Sequence, residues 1–333
     1  MKGFLLASLA ALAVAAPSSK KQRAAPVTAQ QLNNFKLYMQ WSSASHCANE
    51  APIGSVVTCT DNQCSMFQSH NATVAATFIG SILDMRGFLG IDDVDKNIVL
   101  SFRGSTSWRN WIADAIFVQT PCDLTPGCLV HAGFYASWLE IKNSVIDAVK
   151  AAKAAHPNYK LVTTGHSLGA AVATLAAATL RKAGIPIELY TYGSPRVGNK
   201  AFAEFVTNQA GGEYRLTHSA DPIPRLPPII FNYRHTSPEY WFDEGEDGVV
   251  TVDEFQICEG YANVNCNAAT SGFNMDLHGW YFQNHQGCSL GYTPWRAVKE
   301  RELSDPELEA LVNRFAEMDK AYVENLNLEG LEP

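Results

Sequence analysis

The sequence predicts an α/β fold: a largely parallel central sheet with helices on both faces. Three observations carry it. Strand-like and helix-like segments alternate through the middle of the chain, the pattern that builds parallel strands with helical crossovers. Gly165-His166-Ser167-Leu168-Gly169 sits between an apolar strand over 160–164 and a helical run over 170–183. Glycines two before and two after a serine suit a strand-to-helix turn too tight for side chains. Finally, 333 residues at 47% hydrophobic and 17% charged supply enough apolar mass for one large packed core.

The elements follow in order. A charged start at Lys2 and an apolar run ending in small residues at Ala15 predict a secretory signal peptide over 1–16. It is too short to span a bilayer, so no stable membrane anchor is expected. Residues 17–25 hold Lys20, Lys21 and Arg23 and read as a brief pro-segment or a plain disordered N-terminus. The main domain covers 26–290. Within it, 30–45 reads as a helix, and 74–84 and 87–103 as strands joined by a turn at 92–97. A helix over 134–155 is stopped by Pro157. After the elbow come a strand over 187–192, a helix over 199–209 and a strand over 214–218. Residues 249–257 suggest an antiparallel addition. The segment 291–333 is an acidic extension. There Ser304-Asp305-Pro306-Glu307 forms a capping box, and Leu308, Leu311, Val312, Phe315, Met318 and Tyr322 recur at helical spacing. This is a docked amphipathic helix or a removable tail.

The formal net charge of −8, with no basic stripe, excludes nucleic acid as a partner. No phosphate loop, dinucleotide fingerprint or metal motif is present, so neither cofactor nor metal is expected. Nothing in the sequence fixes an oligomeric state. An even count of eight cysteines in a secreted chain points to disulfides. Cys59/Cys64, Cys122/Cys128 and Cys258/Cys266 each close a short polar loop, which leaves Cys47 and Cys288. Zinc is the competing reading, but the spacings lack a C-x2-C pair. Asn71-Ala72-Thr73 is a glycosylation sequon.

A serine on such an elbow is a nucleophile. It needs a base to take its proton and a carboxylate to hold that base, in the chain order Ser, acid, His. Asp221 follows the strand at 214–218 and opens a proline-stiffened loop through Pro228. His278 lies in an apolar, aromatic stretch further on. His218 is too near Asp221, His235 sits among polar residues, and His285 lies beside the last cysteine. His166 reads as packing. The oxyanion of a tetrahedral intermediate needs two N–H donors. Leu168, after the nucleophile, is one. Ser105, after the strand ending Phe102-Arg103-Gly104, is the other. Trp108, Trp111, Ile112 and Ala115 then share one helical face, with Arg109, Asn110 and Asp114 on the other. An apolar short helix beside a catalytic serine reads as a lid, closed in water and open at an oil surface.

The motifs Val99–Ser105, Arg109–Asp114, Thr164–Gly169, Tyr192–Asn199, Asp221–Pro228 and Ser237–Trp241 together resemble the secreted filamentous-fungal lipases. These are class 3 lipases of the alpha/beta-hydrolase fold. The resemblance spans roughly 27–290. It implies Ser167, Asp221 and His278 as a triad, Ser105 and Leu168 as the oxyanion hole, an interfacial lid near 106–116, and the cysteine pairing above. It also implies an acylglycerol ester substrate met at an oil–water interface. Phospholipase A1 and feruloyl-esterase activities occur on the same fold and stay open as alternatives. A lipid-binding module without catalysis is the reading from another class. Cys258, Cys266 and the acidic extension depart from the shorter members.

Overall fold

The computed structural model describes residues 26–104, 117–243, 249–285 and 304–328. In chain order these form α1 (Ala29–Ala48), β1 (Thr73–Ile79), β2 (Arg86–Asp92), β3 (Asn97–Phe102), β4 (Gln119–Pro121), β5 (Leu129–His131) and α2 (Ala132–Ala155). The elbow pair β6 (Lys160–His166) and α3 (Leu168–Lys182) comes next. It is followed by β7 (Glu188–Tyr192), α4 (Lys200–Thr207), β8 (Glu213–His218), β9 (Glu239–Phe242), β10 (Phe255–Cys258), α5 (Met275–His278) and α6 (Asp305–Leu328). An eight-stranded sheet runs in the order β1-β2-β3-β6-β7-β8-β9-β10. Its centre, β3 to β9, is parallel. Antiparallel pairs finish both edges. The expected parallel sheet with antiparallel additions is therefore present.

Successive strand side chains go to opposite faces, and here both faces are buried. Ile98, Leu100 and Phe102 of β3 and Leu161 of β6 join the core beneath α2 and α3. Val99, Val162, Tyr190 and Tyr192 join the core beneath α1. Helix α3 is alanine-rich and buried almost all round. Its small side chains let it lie close on the sheet, which fixes where its N-terminus meets the end of β6.

Two details differ from the sequence reading. The strand expected over 74–84 ends at Ile79. Beyond it the Glu140 carboxylate of α2 accepts from the Ile82 and Leu83 N–H groups, at 3.3 and 3.2 Å, and holds the chain in a turn. Strand β9 was not read as a strand at all. Its first residue is Glu239, an acid buried in the sheet and satisfied by Arg215 at 3.3 Å and the Thr217 hydroxyl at 2.6 Å, both from β8. A charge that is usually exposed hides a core strand from pattern analysis.

Removing one member of a buried ion pair leaves the other uncompensated, typically at about 3–5 kcal/mol. We expect Glu239→Ala to lose stability in that range in urea unfolding. A loss below about 1 kcal/mol, the level of an exposed pair, would show that Arg215 does not depend on Glu239.

Candidate active site

The elbow glycines are required by the backbone. A Cβ on Gly165 would stand 2.3 Å from the Gly169 carbonyl oxygen, and one on Gly169 would stand 2.3 Å from the Phe102 carbonyl oxygen. Between them Ser167 adopts φ 56° and ψ −125°, a strained conformation for a residue with a side chain. Its N–H donates to the Tyr192 carbonyl at 3.0 Å, tying the turn to the end of β7. Leu168 opens α3. Its N–H is among the first four of a helix, which have no partner within the helix, at the positive end of the helix dipole.

Asp221 follows β8 and is fully buried. Its N–H donates to the His218 carbonyl at 2.9 Å. Its Oδ1 accepts from the Ile223 N–H at 2.9 Å. His278, at the end of α5, places Nδ1 2.9 Å from Oδ2 and 3.0 Å from Oδ1. A carboxylate only accepts, so Nδ1 carries the proton and Nε2 keeps its lone pair. Nε2 has no hydrogen-bond partner among the described residues, Ser167 Oγ included, so its lone pair is available but the contact with Ser167 is not made in this arrangement. Gly193, after β7, has φ +56°, and a Cβ there would lie 2.9 Å from Asp221 Oδ2 and 3.0 Å from the His278 ring. The acid–base pair closes directly over that glycine.

Burial pushes the Asp221 carboxyl up. The charge and hydrogen bond of His278, the Tyr281 hydroxyl and the Ile223 N–H outweigh it and hold the group below its ordinary value. The acid therefore stays ionised and ready to stabilise an imidazolium.

Three supporting residues were not singled out from the sequence, and a fourth, His166, was expected only to pack. Tyr281, three residues past His278 and fully buried, donates its hydroxyl to Asp221 Oδ2 at 2.7 Å and accepts from the His218 N–H at 3.2 Å. Asn267 donates to the Ser219 and Asp221 carbonyls at 3.1 and 2.9 Å. Arg225 donates to the Ala220 and Thr270 carbonyls. His166, expected only to pack, lies 2.7 Å from the His278 carbonyl through Nε2. A carbonyl only accepts, so Nε2 of His166 is the protonated nitrogen. Its ring lies 4.3 Å from that of His278 and 4.0 Å from that of His285. The spacing of Tyr281 from His278 is the one signal for these residues that the sequence carried.

The other expected residues divide by position. Ser105 and the helix residues Trp108, Arg109, Asn110, Trp111, Ile112, Asp114 and Ala115 lie outside the described residues, as does Cys288, the expected partner of Cys47. Cys59–Cys64, Cys122–Cys128 and Cys258–Cys266 are paired, with Cα separations of 5.6, 5.3 and 6.3 Å. Asn71 is exposed on a left-handed turn before β1. No helix among the described residues is long and apolar enough to cross a membrane.

Comparison with known proteins agrees with this geometry. The family model described as "Lipase (class 3)" matches residues 99–231. The chain is 47% identical over 307 residues to secreted mono- and diacylglycerol lipase 1 of Fusarium solani, covering 92% of this chain and 91% of that protein. It superposes on the crystal structure of the mono- and diacylglycerol lipase of Aspergillus oryzae with a TM-score of 0.74 at 39% identity, over 79% of this chain and 100% of that one. It also superposes on a triacylglycerol lipase whose catalytic centre is described as a serine protease triad, with a TM-score of 0.70 at 32% identity, over 79% of this chain and 99% of that one.

The buried imidazoles have a consequence for stability. Burial is the largest cause that lowers each of them: His46 falls to about 3, and His166, His235 and His285 fall well below their ordinary value. The unfolded chain protonates these rings near pH ~6.5, while the folded protein keeps them neutral. Their contribution is complete above that pH and is lost as pH falls, at up to about 1.4 kcal/mol per pH unit for each ring. Asp221, with its lowered value, begins to count only below about pH 4. We expect urea midpoints to hold steady above about pH 7 and to fall continuously toward about pH 5. A flat midpoint across that interval would contradict the neutral state of these histidines.

Proposed function

The chain belongs to the class 3 lipase family, and from that membership we propose that it is secreted and hydrolyses acylglycerol esters at a lipid–water interface. The observation that carries the reading is the buried Asp221–His278 pair beside the strained Ser167 elbow. As a lipase the protein is a serine ester hydrolase, and its reaction follows from these groups. Ser167 Oγ attacks the ester carbonyl carbon as its proton passes to His278 Nε2. Asp221, held ionised, stabilises the imidazolium through Nδ1. The oxyanion takes hydrogen bonds from the Leu168 N–H at the start of α3 and, in our proposal, from Ser105. Collapse of the tetrahedral intermediate breaks the ester C–O bond, and His278 returns the proton to the departing alcohol. Water, deprotonated by His278, then attacks the acyl-enzyme and releases the fatty acid and free Ser167.

Mono- and diacylglycerols are the proposed preferred substrates, since the similar proteins of Fusarium solani and Aspergillus oryzae carry those names. The helix with Trp108, Trp111 and Ile112 is the proposed lid, and Asn71 the proposed glycan site; its exposure supports that role.

Ser167→Ala should abolish hydrolysis while circular dichroism and the unfolding midpoint stay at wild-type values; retained hydrolysis would refute the nucleophile. Emulsified monoolein, diolein and triolein should be cleaved faster than methyl ferulate or phosphatidylcholine vesicles. Activity confined to the ferulate or the phospholipid would replace the acylglycerol reading with one of its alternatives.

A further inference from the structure

Helix α6 follows the triad in sequence, and its buried acid reaches the loop that carries Asp221. The apolar stripe of α6, Leu308, Val312 and Phe315, packs against Ile223 and Leu226 of that loop. One turn beyond Phe315, Asp319 is 3% exposed. Its Oδ2 accepts from the Ile229 N–H at 2.8 Å and from Arg196 Nη1 at 3.2 Å, and its Oδ1 accepts from the Ile230 N–H at 3.0 Å. Arg196 is equally buried. Its Nη1 also donates to the Arg225 and Pro227 carbonyls at 2.7 and 2.9 Å, and its backbone N–H donates to the Leu226 carbonyl at 2.8 Å. Across the far half of the loop, 225–230, the Arg196–Asp319 pair thus meets three backbone carbonyls and two N–H groups, with Arg234 Nη1 adding a bond to the Ile229 carbonyl at 3.0 Å. The near half, 219–221, is held by Asn267 and Arg225.

We propose that Asp319 is a positioning residue for catalysis: through Arg196 and the two backbone N–H groups it fixes the loop that aims the Asp221 carboxylate at His278. This makes α6 part of the catalytic apparatus and not a detachable tail. The inference rests on the triad reading above. Burial pushes the Arg196 guanidinium down to about 10, Arg215 and Arg234 add to that, and Asp319 opposes it. Without Asp319 a buried cation loses its counter-ion, and two buried N–H donors lose their acceptor. Both penalties favour rearrangement of the loop. The Asp221–His278 pair, joined by 2.9 and 3.0 Å hydrogen bonds, is sensitive to such a shift, because a misplacement of about 1 Å at a reacting centre costs on the order of 10²-fold in rate.

The test uses the full-length protein and a soluble ester, p-nitrophenyl butyrate, at a temperature where every variant is folded by circular dichroism. Asp319→Asn keeps the shape of the side chain and removes its charge; Asp319→Ala removes the acceptors too. Glu317→Ala, exposed on the same helix, is the control. Both Asp319 variants should lose about 10- to 10²-fold in kcat with KM nearly unchanged, while the control keeps wild-type values. If Asp319→Ala does not fold, Asp319→Asn carries the test. Wild-type kcat in a folded Asp319→Asn, with only its unfolding midpoint lowered, would reduce the helix to a stabilising role and overturn the proposal. An active Ser167→Ala would instead overturn the triad reading itself, so the two failures are told apart.

Discussion

A carboxylate with no access to water must have its lone pairs met by the protein, and Asp221 is such a group. The same interactions that satisfy it also aim it. His278 Nδ1 and the Tyr281 hydroxyl, from one segment, and the Ile223 N–H, from the loop of Asp221 itself, leave the carboxylate little freedom to turn. Because a carboxylate accepts and does not donate, it sets the tautomer of His278 and leaves the Nε2 lone pair for the proposed role as base. Gly193 is the steric counterpart: no side chain fits under the pair. The elbow places Ser167, the proposed nucleophile, at the end of β6, and in the proposed mechanism the buried acid at the end of β8 gives it its reactivity.

Around Asp221 the protein uses buried charge as scaffolding. Arg215 with Glu239 ties β8 to β9 beneath the loop. Arg196 with Asp319 ties the loop's far half to α6. Arg225 spends its hydrogen bonds on backbone carbonyls of neighbouring segments. A loop leaving a parallel sheet carries backbone groups with no strand partner, and buried groups of that kind must be met by side chains. Guanidinium groups suit this task because each presents several donors in a fixed plane. These pairs are weak evidence for overall stability, since desolvating charge offsets much of the attraction.

Much of the fold was legible because the sheet is simple in its middle: apolar runs separated by helical runs, with an elbow marked by two glycines. Chain order and strand ends pointed to Asp221 and His278, which the fold brings into contact, and to Ser167 on its elbow. The edges were less legible. Strand β9 starts with a buried acid, and the turn after β1 depends on Glu140, which lies far along the chain. No local pattern reveals a partner that distant. His166 packs as expected, but its hydrogen bond was hidden for a related reason. Its bond to the His278 carbonyl is a contact across 112 residues. The helix of the acidic extension was visible from its periodicity, but the burial of Asp319 opposite Arg196 was not, because an acid on a helix normally faces water. The second oxyanion donor and the tryptophan-faced helix rest on the sequence and the family resemblance, since both lie outside the described residues.

In the proposed mechanism Asp221 is the group that makes His278 a base for Ser167. The direct measurement is the rate at which a fluorophosphonate labels the protein, with the modified residue located by mass spectrometry, in wild type and in Asp221→Asn. The account predicts labelling at Ser167 alone, slowed by about 10⁴-fold in the variant while its fold is retained. Labelling at another residue, or equal rates in the two proteins, would contradict it.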